Sequence, residues 1–206
     1  MTLSGKIVSV VGSDPKAGTS MIARSLAECL AKETGEAVLY LKNGEGGSRI
    51  APWNEAEMTL AEAGLTRYLS LPAEEAYREL RARFLFTVTD TGPEAVRDAD
   101  RLIFVVNQLS SSVRAAEKTE AELRRRFAEN RPDEAEKRIL CLNRFLPGDP
   151  FDVACLKTVL PEWNALTVPE SPRGREADWE DVTILKLGDR PYRKAVREVV
   201  KWILNN

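Results

Sequence analysis

Short apolar runs alternate along the chain with longer segments in which apolar residues recur every three or four positions. The apolar runs lie at residues 7–11, 37–41, 84–89, 102–106, 138–142 and 165–168. Helical spacing is found at residues 21–32, 112–129, 151–160 and 192–204, a looser helical pattern at 48–83, and a polar loop is expected at 173–181. Continuous apolar strands that alternate with helices predict an α/β fold, with a mostly parallel sheet covered by helices on both faces. No linker or repeat interrupts this pattern, so we expect a single domain over residues 1–206.

The amino-acid composition excludes several kinds of catalytic and metal-binding site. The chain contains no histidine, which excludes histidine triads, zinc–histidine sites and imidazole proton relays. Cys29, Cys141 and Cys155 are too far apart for a metal-binding spacing, and we expect three reduced core thiols in a cytoplasmic protein. The formal net charge of −2 indicates no overall basic surface. We expect no signal peptide and no membrane span, since no apolar run approaches the ~20 residues that a bilayer requires.

The first apolar run leads into a glycine-containing loop and then into a helix. This order of elements cradles phosphates, because backbone N–H groups and the helix N-terminus point at the anion. The usual pattern is G-x-x-x-x-G-K-[ST]. In residues 13–20, Gly18 and Ser20 match it, whereas Ser13 replaces the first glycine and Thr19 replaces the lysine. A strand-to-helix turn that binds no ligand explains the same residues equally well, because proline and glycine also favour turns.

Four further segments follow the loop. Asp-Thr-Gly-Pro at residues 90–93 ends a predicted strand, and Asp-Ala-Asp-Arg at 98–101 precedes the next one. Asn-Arg at 143–144 and Val-Pro at 168–169 end two later strands. With the loop, these segments span nearly the full chain, and in their order they resemble those of the ParA/MinD-type ATPases. These are dimerising P-loop switch proteins of the SIMIBI class that position other cell components. The resemblance implies a three-layer P-loop NTPase fold.

The loop departs from this family at the residues that carry positive charge. The family reads K-G-G-x-G-K-[ST]; its first lysine reaches the nucleotide of the partner subunit, and its second contacts the phosphates of its own subunit. Asp14 and Thr19 stand at these two positions. Lys16, at a family glycine position, is the only cation left in the loop. The resemblance therefore implies a degenerate phosphate loop.

Roles for other residues follow from the same resemblance. Lys42 stands where the family has an aspartate that serves the catalytic water, Asp90 where an aspartate helps to hold magnesium indirectly, and Asn143 where an asparagine recognises adenine. The implied nucleotide-binding set is Lys16, Gly18, Thr19, Ser20, Asp90 and Asn143, with Ser20 as the magnesium ligand. Simpler roles stay open, because Asp90 would also suit a turn cap and Asn143 would satisfy backbone groups at a strand end.

The missing lysines decide what we expect of the chemistry. Phosphoryl transfer depends on positioned positive charge. A charge-assisted hydrogen bond contributes ~1.5–3 kcal/mol, so the loss of two lysine contacts weakens triphosphate binding, and Asp14 adds a negative charge nearby. We therefore expect either weakly bound ATP and Mg²⁺ or no cofactor, and no efficient ATPase activity.

Three functions remain open from the sequence. The first is a non-hydrolysing localisation or scaffold protein, like CpaE/TadZ-type relatives with altered loops, which acts through a protein partner or a second copy of the chain. The second is an active ATP-dependent dimerising switch in which Lys16 or Lys42 supplies the missing cation. The third is an adaptor that binds another nucleotide or none.

Surface patterns argue against two other classes of partner. The mixed charges of residues 112–129 are typical of a solvated helix face rather than a nucleic-acid site. The apolar stripe of the last predicted helix is expected to pack on the sheet rather than on a membrane. Trp163 and Trp179 lie in polar stretches, and exposed tryptophans would favour a protein interface.

Overall fold

One parallel sheet organises the chain. The computed structural model describes residues 5–42, 65–68, 82–93, 96, 99–130 and 137–205. Its strands are β1 (Lys6–Gly12), β2 (Val38–Lys42), β3 (Leu65–Tyr68), β4 (Phe86–Thr91), β5 (Arg101–Asn107), β6 (Arg138–Phe145) and β7 (Ala165–Pro169). They form a seven-stranded sheet in the order β3-β2-β4-β1-β5-β6-β7, and every pairing is parallel. The carboxyl ends of all these strands therefore meet at one edge.

Helices cover both faces of this sheet. They are α1 (Thr19–Thr34), α2 (Ser110–Asn130), α3 (Val153–Val159), α4 (Gly174–Trp179) and α5 (Arg190–Asn205). Alternate residues of β5 enter different cores: Ile103 and Val105 pack with α1 and α5, whereas Phe104 packs with α2 and α3. All seven residues of β5 are buried, as expected for a strand covered on both sides. The predicted three-layer α/β fold is confirmed.

Two local predictions need correction. The helical pattern predicted for residues 48–83 is wrong at Leu65–Tyr68, which form β3, because pairing with β2 overrides a loose local pattern. Residues 43–64 and 69–81 lie outside the described part of the chain. The loop predicted at 173–181 instead contains α4, whose first turn carries an ion pair between Arg173 and Glu176.

The last helix packs as predicted. Four residues of its stripe are buried against α1 and β7: Val196, Val199, Val200 and Ile203. Leu204, at the end of the stripe, is 37% exposed. None of the helices in the described ranges combines the length and the apolarity that crossing a bilayer requires.

The two tryptophans in polar stretches behave differently. Trp179 is 90% exposed. Trp163, by contrast, is 2% exposed, and its ring centroid lies 5.4 Å from that of Phe104. Its indole N–H donates to the Glu120 carboxylate at 3.3 Å. This partner on α2 lets a tryptophan in a polar segment be buried.

The cysteines give a testable difference in reactivity. All three are free thiols; Cys29 and Cys141 are buried, but Cys155 is half-buried, so it is not the core thiol that the sequence predicts. Burial raises the pKa of the Cys141 thiol to about 12 and that of Cys29 to about 11. Because the thiolate is the nucleophile, iodoacetamide at pH 8 should label Cys155 first and spare the other two until the chain unfolds. Mass spectrometry of the native protein checks this, and rapid labelling of Cys141 would contradict it.

Candidate functional site

The phosphate-loop segment, residues 12–20, joins the end of β1 to the start of α1 at the centre of the sheet's carboxyl edge. Gly18 is the N-cap of α1 and has left-handed backbone angles, φ 84° and ψ 25°. Gly18 has no side chain that could cap this helix, and the described part of the chain supplies no other cap, so the first backbone N–H groups leave the positive end of the helix dipole open to an anion. The strand–loop–helix order predicted from the sequence is present.

Both glycines of the loop make close approaches. A Cβ atom at Gly12 would lie 2.1 Å from the Thr19 hydroxyl, so the Thr19 side chain lies against the end of β1. A Cβ atom at Gly18 would lie 2.3 Å from Nδ2 of Asn143. A larger residue at either position would displace a neighbour, and at Gly18 it would also strain the left-handed backbone.

Two asparagines hold the loop by its carbonyl groups. Asn107, the last residue of β5, donates from Nδ2 to the Lys16 carbonyl at 2.7 Å. Asn143 on β6 donates from Nδ2 to the Ala17 carbonyl at 2.9 Å. The two asparagines are register partners in the sheet, and both are almost fully buried. Sequence reasoning missed Asn107, although it ends its strand at the position that matches Asn143.

Ser13, at the place of the first glycine of the pattern, fixes the loop to α2. Its hydroxyl lies 2.6 Å from that of Ser112, and its N–H donates to the Val105 carbonyl at 2.9 Å. The Thr119 hydroxyl donates to the Ser13 carbonyl at 3.2 Å. The serine that replaces the first glycine of the phosphate-loop pattern therefore fastens the loop to α2.

The charge of the loop differs from that of a lysine-bearing phosphate cradle. Oδ1 of Asp14 accepts a hydrogen bond from the Lys16 N–H at 2.6 Å, so a carboxylate already occupies one backbone donor of the loop. Oδ2 of Asp14 is shielded from solvent and has no hydrogen-bond partner within the described ranges. Lys16 itself is exposed.

Asp90 lies at the end of β4, beside β1. It is 7% exposed, and its Oδ2 accepts a hydrogen bond from the Tyr40 hydroxyl at 3.2 Å. Its register partners are Val10 in β1 and Lys42 in β2. Ser20 lies half-buried in the first turn of α1. The predicted magnesium roles of Asp90 and Ser20 stay predictions.

A cavity of about 540 Å³ opens beside the loop, between α1 and the ends of β6 and β7. The wall of this cavity includes Gly18 of the loop and Asn143 of β6, which is hydrogen-bonded to the loop. Arg144, also in the wall, has the left-handed φ of 54°, and the β6–β7 pairing shifts register between Leu142 and Phe145. Such an irregularity redirects a side chain, here at the rim of the cavity.

Mg-ATP fits only part of this site. The uncapped start of α1 suits a phosphate, and the cavity has room for a nucleoside. The loop is a poor match for a triphosphate, because Lys16 is exposed and the Asp14 carboxylate already accepts the Lys16 N–H at 2.6 Å. The residues predicted to bind a nucleotide therefore do not all meet in one place. Gly18 and Asn143 line the cavity, whereas Lys16 is exposed on the loop.

A central strand, a glycine-containing loop and an uncapped helix on a parallel sheet define the P-loop type of α/β fold.

Neither a protein-family model nor a curated protein matches the sequence. Among solved structures, the MinD cell division protein of Aquifex aeolicus is similar, with a TM-score of 0.76, 15% identity and 98% of both chains covered. The chain is also similar to the MinC:MinD complex of the same organism, with a TM-score of 0.72, 14% identity, and 98% and 97% covered. A ParA family ATPase of Chlorobium tepidum is similar as well, with a TM-score of 0.72, 14% identity and 98% of both chains covered. The chain therefore has the fold of the MinD and ParA P-loop ATPases.

Replacing Asn107 with alanine should destabilise the protein by about 2 kcal/mol, because the change removes the bond to the Lys16 carbonyl and the bond that Oδ1 accepts from the Leu109 N–H. Urea denaturation measures the effect. Asn164→Ala is the matched control, since this residue is exposed and should change stability by less than about 0.5 kcal/mol. Equal effects of the two substitutions would contradict the anchoring role.

Proposed function

We propose that this chain is a ParA/MinD-fold domain with a degenerate phosphate loop, which acts as a localisation or scaffold protein without hydrolysing ATP. The observation that carries the proposal is the carboxylate in the loop. Asp14 stands at the position of the first lysine and accepts the Lys16 N–H at 2.6 Å. Thr19 stands at the position of the second lysine and lies against Gly12.

The energetics support this reading. In phosphoryl transfer the protein mainly positions the phosphates and neutralises the charge of the transition state. The start of α1 offers only the partial charge of backbone N–H groups. Each lost lysine contact removes ~1.5–3 kcal/mol, and the Asp14 carboxylate repels phosphate oxygens. Together these differences favour a protein in which the fold is kept and turnover is lost.

A protein partner is favoured over a nucleic acid or a membrane. Trp179 is 90% exposed, and Leu109 and Leu146 are each 49% exposed after β5 and β6, at the carboxyl edge of the sheet. Of these three, the exposed tryptophan is the residue type in which the energetically important positions of protein interfaces are enriched. A MinC:MinD complex is among the similar structures, which supports a protein partner or a second copy of the chain. By contrast, three successive arginines of α2 (Arg124, Arg125 and Arg126) form ion pairs with glutamates.

Sedimentation velocity with and without Mg-ATP tests the proposal. A scaffold that does not use the nucleotide should show the same oligomeric state in both conditions over the micromolar range. A dimer that forms only with Mg-ATP and dissociates as the ATP is hydrolysed would contradict the proposal and would favour a switch.

The alternative is an active switch in which Lys16 or Lys42 replaces the missing cation. Its support is that Lys42 is the register partner of Asp90, at the same edge of the sheet as the loop. If the wild type hydrolyses ATP and Lys16→Ala/Lys42→Ala does not, the alternative holds. Turnover that the double substitution leaves unchanged would remove this mechanism.

A further inference from the structure

The last helix, α5, carries an uneven charge. It contains five basic residues and one acidic residue, whereas α2 contains five basic and four acidic residues. Three of the α2 arginines form ion pairs with glutamates of their own helix. A solvated helix usually balances its charges in this way. In a chain with 30 basic and 32 acidic residues, the excess of positive charge on α5 is therefore a local feature.

Four of the five basic residues of α5 form one exposed row. They follow one another at intervals of three or four positions, so they share a face of the helix and extend over about 16 Å. This basic row consists of Arg190, Lys194, Arg197 and Lys201, all of which are exposed. The fifth basic residue, Arg193, is half-buried and donates to the Leu185 carbonyl at 3.0 Å, so it serves the fold. The apolar residues of α5 lie in the core instead.

The basic row is unfavourable for the helix that carries it. Arg190 begins α5, and Lys194 follows one turn later, near the positive end of the helix dipole. Like charges three or four residues apart also destabilise a helix. Asp189 offsets only part of this, because its carboxylate accepts the Tyr192 N–H at 3.0 Å and the Ser171 hydroxyl at 2.5 Å. Since residues that conflict with local stability are expected at functional sites, the row indicates a binding partner of opposite charge.

Two carboxylates lie beside the second half of the row. Glu33 of α1 pairs with Arg197 at 2.9 Å, and Glu198 pairs with Lys201 at 2.8 Å. Glu198 is also four residues after Lys194, but neither Arg190 nor Lys194 forms an ion pair with a residue in the described ranges. The surface is therefore positive at the start of α5 and mixed in charge further along.

A row of this kind fits a protein segment better than a nucleic acid or a membrane. Glu33 and Glu198 would repel phosphate groups, whereas a protein can offer carboxylates to the free cations and a cation to the glutamates. A helix that binds a membrane uses its apolar face, and the apolar face of α5 is buried in the core. We propose that the basic row binds an acidic helical segment of a protein partner, whose carboxylates recur every three or four residues. The inference rests on the proposed function, because a scaffold acts through a protein partner.

Fluorescence anisotropy with a labelled peptide tests the inference on the full chain. The probe is an alanine-rich helical peptide with glutamates at positions i, i+4, i+7 and i+11, and it should bind at least about fivefold more tightly than a peptide of the same composition with glutamates all around the helix. Arg190→Glu/Lys194→Glu should weaken binding at least about tenfold, because two exposed ion pairs become two repulsions. Arg114→Glu/Lys118→Glu is the matched control, since it makes the same change at the same spacing on exposed positions of α2. The control should alter binding by less than about twofold.

Three outcomes of this experiment would overturn the inference: no binding of the spaced peptide, equal binding of the two peptides, or equal losses in the two variants. Tighter binding of a short DNA duplex, or of vesicles of phosphatidylcholine and phosphatidylserine in equal parts, would also overturn it if Arg190→Glu/Lys194→Glu abolished that binding. The row would then recognise phosphate groups. Each of these results leaves the proposed loss of ATP hydrolysis intact, because phosphate release tests that separately.

The charge of the row should also have a measurable effect on stability. Arg190→Gln/Lys194→Gln should raise the midpoint temperature of thermal unfolding by about 1–3 °C, because it removes two cations near the positive end of the α5 dipole. Glutamine has nearly the helix propensity of arginine and lysine, so charge is the main change. Arg114→Gln/Lys118→Gln should shift the midpoint by less than about 1 °C, because glutamates three and four residues away balance those cations. An unchanged or lower midpoint for the α5 variant would show that the row serves the fold and would overturn the inference.

Discussion

Substituting Asp14→Asn and Thr19→Lys together is expected to raise the affinity for Mg-ATP by about one to two orders of magnitude. The lysine restores a charge-assisted contact, which contributes ~1.5–3 kcal/mol, or about 10- to 150-fold in binding. The asparagine removes the carboxylate charge but keeps an oxygen that can accept the Lys16 N–H. In the wild type, Oδ1 of Asp14 accepts this N–H at 2.6 Å. The carbonyl bonds from Asn107 and Asn143 do not involve either side chain, so the loop should keep its shape.

Calorimetric titration of the double variant against the wild type measures this gain. Thr19→Met in the same Asp14→Asn background is the matched control, because it adds length without charge. The control should gain less than about fivefold. If it gains as much as the lysine variant, the missing positive charge is not what limits ATP binding.

The second large effect concerns stability. Trp163→Ala should lower the free energy of unfolding by about 3–5 kcal/mol, the usual cost of removing a fully buried aromatic side chain. Trp163 packs on Phe104 with the ring planes at 52°, and the guanidinium of Arg138 lies 5.2 Å from its ring centroid. The substitution would also remove the indole N–H that donates to Glu120.

Urea denaturation followed by circular dichroism checks this prediction. Trp179→Ala is the control, since a side chain that is 90% exposed should change stability by less than about 0.5 kcal/mol. Similar losses in the two variants would show that Trp163 does not hold α2 and β6 together as described.

The fold was predictable because each buried strand appears in the sequence as a short continuous run of apolar residues. A run such as Leu102 to Val106 is buried on both sides of the sheet, so every residue of it must be apolar. The strand Leu65–Tyr68 was missed because its stability comes from pairing with β2, a contact distant in sequence. The burial of Trp163 was missed for a similar reason, since Phe104 and Glu120 are far away in the chain.

The sequence predicted where the candidate site lies in the fold but not the side-chain contacts within it. The pattern of Gly18 and Ser20 after the first strand placed the loop correctly at the sheet edge. It could not show that Asp14 folds back onto the Lys16 N–H, or that Asn107 anchors the same loop from β5. These are side-chain contacts that depend on backbone direction, which a spacing pattern does not specify.

The most direct test is phosphate release from Mg-ATP with the protein in excess over nucleotide, so that even one slow turnover per molecule is detected. If the Asp14 carboxylate stands where the chemistry requires a cation, as we propose, release should equal that of buffer without protein. Release that saturates with protein concentration and disappears in Ser20→Ala would contradict the account, since it would show that this loop hydrolyses ATP.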